Sequence, residues 1–114
     1  MNQGEIEMMA SNNHSCPNVR KGVAVLYALM RAVNAQSDGW CYWSAPSRAA
    51  ESLMVLLRGV GNIWHDTHGT ITDSELKKAL RPIRSMVTRQ KAIQARYGNK
   101  FEFDVDAAID EVAA

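Results

Sequence analysis

The chain has 114 residues, 46% of them hydrophobic, with two cysteines and a formal net charge of +1. That length fits one domain, the apolar share excludes disorder throughout, and two cysteines exclude the dense staple pattern of small secreted domains. No apolar run is long enough to span a bilayer, and the first ten residues lack the basic-then-apolar start of a signal peptide, so the expectation is a cytoplasmic protein with no membrane partner.

The near-neutral total hides an uneven layout. Residues 1–57 balance four basic side chains against four acidic ones. Residues 58–100 carry nine basic and three acidic side chains, and residues 101–114 carry five acidic and none basic. A basic block of this kind suits an acidic protein or a nucleic acid, unless the chain's own acidic end neutralises it.

Residues 1–17 read as a flexible N-terminal segment, because Ser11-Asn12-Asn13-His14-Ser15 is polar and Pro17 follows. Residues 18–114 read as a single helical domain. The first helix is predicted from about Val19 to Gln36, with Val19, Val23, Leu26, Tyr27, Met30 and Val33 at helical spacing. Ala24, Val25, Ala28 and Leu29 make its other side apolar too, which predicts a central position. Asn18 is the expected cap, and Ser37-Asp38-Gly39 the stop.

Trp40-Cys41-Tyr42-Trp43 reads as a compact connector whose rings cover helix ends. A second helix starts around Pro46, with Ser44 and Ser47 competing as cap, and runs to about Arg58. Gly59 and Gly61 interrupt it, with Val60, Ile63 and Trp64 as a broken extension.

Thr72-Asp73-Ser74-Glu75 has the form of a capping box. It opens a third helix, which Pro82 should end or kink near Leu80. A separate helix is then expected from about Ile83 to Tyr97. Its inward stripe is Ile83, Met86, Val87, Gln90, Ile93 and Tyr97, with Arg84, Thr88 and Lys91 nearly opposite. Phe101 to Val105 alternates like an extended arm. Asp104 then caps a last helix over Val105 to Val112, with Ala107, Ala108 and Ile109 inside. The fold class expected is all-α: a compact bundle of four or five helices with a short extended C-terminal arm.

The segment from Gly69 to Leu76 resembles the end of an EF-hand calcium loop and the start of its exit helix. Gly69 stands at the sharp turn, Ile71 at the central apolar position, Glu75 at the terminal bidentate carboxylate and Asp66 at the third position. The resemblance implies a calcium site there. Trp64 at the first ligand position and His68 at the fifth depart from the oxygen ligands that family uses. An alternative is a transition-metal site with His65, Asp66, His68 and Glu75 as the candidate ligands, joined by His14, Cys16 or Cys41 folding back. The reading preferred here is structural: Gly69 makes a turn, and Thr72 and Glu75 cap a helix. No cofactor is expected.

Enzyme chemistry has little behind it. Cys16 lies near His14 and Cys41 lies among aromatics, but no phosphate loop, dinucleotide fingerprint, HExxH or CxxC is present. The expectation is a non-enzymatic protein-binding module of the inhibitor, adaptor or immunity type, with some self-association as a homodimer. Arg84, Lys91 and Arg96 would steer an acidic partner, and Trp40, Trp43 and Trp64 would anchor it. The runner-up is a nucleic-acid-binding helical regulator. It would use Lys77, Lys78, Arg81, Arg84, Arg89, Lys91 and Arg96 on phosphates, with Thr88, Gln90 and Gln94 approaching base edges.

Overall fold

Four helices make up the described residues of the computed structural model, which cover 16–35, 45–60, 69–97 and 103–113. They are α1 (Pro17–Asn34), α2 (Ala45–Arg58), α3 (Asp73–Tyr97) and α4 (Val105–Ala113). The all-α expectation holds. Helix α2 packs along α3, α4 packs on α1, and α1 also packs against α2 and α3. Among the described residues no helix is long and apolar enough to cross a membrane.

Helix α1 is central, as its nearly all-round apolar character requires. Val19, Val23, Val25, Leu26, Leu29, Met30 and Val33 are all buried. Gly22 lies where α1 crosses its neighbours: a β-carbon there would sit 3.2 Å from Leu57 Cδ2 and 3.3 Å from Leu53 Cδ1. The helix starts earlier than expected. Pro17 takes the first helical position, so the cap position falls on Cys16, and Asn18 is inside the helix. Freed from capping, Asn18 Nδ2 donates to Ile71 O at 2.9 Å and to Asp73 Oδ1 at 2.8 Å, tying the start of α1 to the start of α3. Asn18 is the better capping residue, but the ring of Pro17 has no amide proton to lose at the first helical position and fixes the frame there.

Helix α2 buries Ala49, Ala50, Leu53 and Leu57. Ser47 is buried in its first turn, which rules it out as the cap. The helix closes at Gly59, whose amide donates to Val55 O and Leu56 O, each at 3.2 Å. Val60 then turns into the core.

Pro82 neither ends α3 nor divides it from a fourth helix. A single helix runs from Asp73 to Tyr97 with Pro82 inside it. Leu76, Ala79 and Leu80 before the proline, and Ile83, Met86 and Val87 after it, are all buried on one side. Burying a large apolar side chain contributes roughly 1.5–3 kcal/mol, so this continuous stripe outweighs a proline cost of about 3 kcal/mol. Lys78, whose carbonyl loses its amide donor at Pro82, is exposed, so water can satisfy it.

The capping box forms as read. Glu75 N donates to Thr72 Oγ1 at 3.1 Å, and Thr72 N donates back to Glu75 Oε1 at 3.1 Å. At the last helix, Asp104 Oδ1 accepts from the amides of Asp106 at 2.9 Å and Ala107 at 3.1 Å. Phe103 and Asp104 precede α4 without helical structure, and Phe103 is buried. The inward face of α4 is Val105 and Ala108, with Ile109 packed against the core; Ala107, expected inside, is exposed. The core is thus one contiguous cluster drawn from all four helices.

Candidate functional site

Continuity of α3 decides where its cations go. With 3.6 residues per turn and one half of the helix committed to the core, every residue outside that half must face solvent. Lys77, Lys78, Arg81, Arg84, Arg89 and Lys91 are all exposed. After Glu75 the helix contains no acidic residue. The positions expected on two helices therefore share one solvent-facing side of one helix. From Lys77 to Lys91 this row is about 21 Å long at 1.5 Å per residue.

The row has two edges with different neighbours. On the α4 side, Arg84 is held by Asp106, with Nη2 to Oδ1 at 2.9 Å and Nη1 to Oδ2 at 3.3 Å. The Asp106 bond raises the Arg84 pKa above its ordinary value, and the guanidinium holds the Asp106 carboxyl below its own. Arg84, expected to steer a partner, is thus already matched by the chain's own acidic end. Lys91 lies beyond it, along a cleft that it shares with Thr88, Phe103 and Asp104. Among the described residues Arg84 makes the one ion pair of the basic row. Arg96 falls in the last turn of α3, and its side chain lies outside the described set, as does that of Gln94.

On the α2 side, Arg89 borders a groove of about 470 Å³ whose lining includes Ala49, Met86, Ile93 and, across from Arg89, Arg48 of α2. Sequence reasoning did not single out Arg48. No local pattern marks it, because its place beside α3 depends on how α2 and α3 pair.

The groups expected to read bases are poorly placed for it. Thr88 Oγ1 donates to Arg84 O of its own helix at 3.1 Å, and Gln90 is half-buried in the groove between α2 and α3.

The metal expectation changes in part. Glu75 Oε1 also accepts from Thr72 Oγ1 at 3.0 Å, so this carboxylate is engaged in capping. Gly69 serves a different purpose from the sharp turn of a calcium loop. Its φ lies outside the left-handed region, and a β-carbon there would come within 2.5 Å of Val60 O and 2.6 Å of Val60 Cβ. Glycine is needed because two backbone segments meet. His65, Asp66 and His68 lie outside the described residues. Among the described residues no group of three His, Cys, Asp or Glu could hold a metal ion. Trp40, Trp43, Trp64, His14 and Cys41 also lie outside them.

Cys16 lies at the junction of α1 with the segment leading into α3, its Sγ 3.8 Å from Ile71 O. Burial raises its thiol pKa, but backbone hydrogen bonding from Ile71, Val19 and Asn18, with the Arg20 charge, outweighs that and leaves it lowered.

Comparison with family models, with curated proteins and with solved structures finds no match to this chain.

Proposed function

We infer that the protein is a non-enzymatic binding module that docks an acidic surface of another protein along α3. One observation carries this reading: the helix presents an exposed row of cations from Lys77 to Lys91 with no acidic residue among them. Lys77, Lys78, Arg81, Arg89 and Lys91 would supply long-range attraction, which raises association rates and selects against basic partners.

A protein partner is favoured over a nucleic acid for two reasons. Thr88 is turned back onto its own helix and Gln90 is half-buried, so neither is presented to base edges. The exposed carboxylates of Asp104 and Asp106, which share a cleft with Arg84 and Lys91, would also meet a phosphate backbone laid across the row.

The test compares partners recovered from native extract by the protein and by its Lys77→Glu, Lys78→Glu, Arg81→Glu variant. The expected result is a stoichiometric partner that survives nuclease treatment and is lost with the variant or in high salt. Recovery that is unchanged by the variant would overturn the reading. Recovery abolished by nuclease would replace the protein partner with a nucleic acid.

A further inference from the structure

Charge along α3 says that a partner is acidic, but not where its chain is gripped. The groove between α2 and α3 supplies that detail. Its floor includes Ala49 and Met86, both buried, and its edge includes Ile93, a large apolar side chain left 37% exposed. Its volume, about 470 Å³, falls within the size range of ligand pockets. Two cations, Arg48 and Arg89, line it, and among the described residues no acidic one does. The single carboxylate of α2, Glu51, lies outside the lining. Ser85 and Gln90 complete the polar part of the wall.

Resting on the docking reading above, we propose that this groove takes an acidic amphipathic helical segment of the partner protein. A large apolar side chain of that segment fills the space over Ala49 and Met86 against Ile93, and its carboxylates meet Arg48 and Arg89. Such a helix presents anchors one turn apart, the usual mode of helix-in-groove recognition. The two arginines and Ile93 select among occupants. A basic segment would bring like charges onto two arginines, and a purely acidic, apolar-free segment would leave Ile93 in water. Continuity with the α3 row adds a reason: Arg89 belongs to both, so attraction along the row delivers the segment to the groove.

The experiment measures anisotropy of a short labelled helical peptide with two leucines one turn apart among glutamates. A twin with both leucines changed to serine and a twin with the glutamates changed to lysine serve as controls. The intact protein should bind the first peptide at least about tenfold more tightly than the serine twin, since one buried leucine alone supplies that ratio, and more tightly than the lysine twin, whose cations would meet Arg48 and Arg89. Ser85→Trp, which replaces an exposed residue in the wall with a bulky one, should weaken binding by about tenfold or more, as should the double variant Arg48→Glu, Arg89→Glu. Circular dichroism of each variant checks that it has folded.

Equal binding of the leucine and serine peptides, or binding indifferent to Ser85→Trp, overturns the groove. If the Lys77→Glu, Lys78→Glu, Arg81→Glu variant still loses the peptide in that case, the wider α3 reading stands without the groove. Loss of neither overturns both. Self-association that Ser85→Trp abolishes without any peptide would make a second copy the occupant and overturn the partner segment proposed here.

Discussion

The approach of Gly69 to Val60 makes two identical substitutions behave oppositely. Adding one methyl group at Gly69 places a carbon 2.5 Å from Val60 O, 2.6 Å from Val60 Cβ and 2.7 Å from Val60 Cα. Two of these three atoms are backbone, so no side-chain rotation relieves the clash. Overpacking of this kind costs about 1–3 kcal/mol. Removing glycine's freedom from the unfolded chain returns about 0.4–1 kcal/mol, so Gly69→Ala should lose roughly 1–2 kcal/mol. At Gly59 the same methyl group meets Leu56 O at 3.4 Å and Val55 O at 3.8 Å, which is ordinary contact, and φ is outside the left-handed region. Gly59→Ala should therefore keep the unfolded-state gain and stabilise by about 0.4–1 kcal/mol. Urea denaturation at constant m-value gives both numbers. A Gly69→Ala protein as stable as the parent would show that the two segments do not meet as described. The turn explanation would fare no better, since it too requires glycine.

Three further outcomes follow from individual contacts. Pro82→Ala should raise stability by roughly 1–2 kcal/mol, because α3 is already continuous and gains an amide donor; a loss in thermal or urea denaturation would mean that the proline is needed for packing. Thr72→Ala removes the acceptor for the Glu75 amide and should cost about 1 kcal/mol; an unchanged urea midpoint would show that water caps the helix equally well. Asp106 has a folded pKa below its unfolded value because of Arg84. The stability it adds is therefore present above roughly pH 4 and lost as pH falls through the folded value. Asp106→Asn should flatten the dependence of stability on pH below that point, and an identical acid limb in both proteins would show that the pair contributes nothing.

Periodicity in the sequence was enough to give the helical class, the central role of α1 and the inward stripe of α3 as far as Val87; Ile93, expected on that stripe, is exposed, and the side chain of Tyr97 lies outside the described residues. The Thr72–Glu75 box and the Asp104 cap were legible because capping chemistry is local. Two errors share a cause: a strong local preference was overruled by a neighbour. Asn18 is a good cap, yet Pro17 beside it set the helix start two residues earlier, and Asn18 was left to bridge α1 and α3. Pro82 is a strong breaker, yet three buried side chains on each side of it hold α3 together. The candidate site was half legible for the same reason. Seven basic positions could be counted, but treating α3 as two helices hid that six described ones share a side. The pairing of Arg84 with Asp106 and the opposition of Arg48 to Arg89 join residues remote in sequence, and no local pattern foretells either.

Lysine footprinting of the purified native complex tests the docking account most directly. Acetylation rates are measured by mass spectrometry for Lys77, Lys78 and Lys91 of α3 and for Lys21 of α1, with and without the bound partner. The account predicts severalfold slowing at the three α3 lysines and an unchanged rate at Lys21. Slowing at Lys21 while Lys77, Lys78 and Lys91 react as before would contradict it.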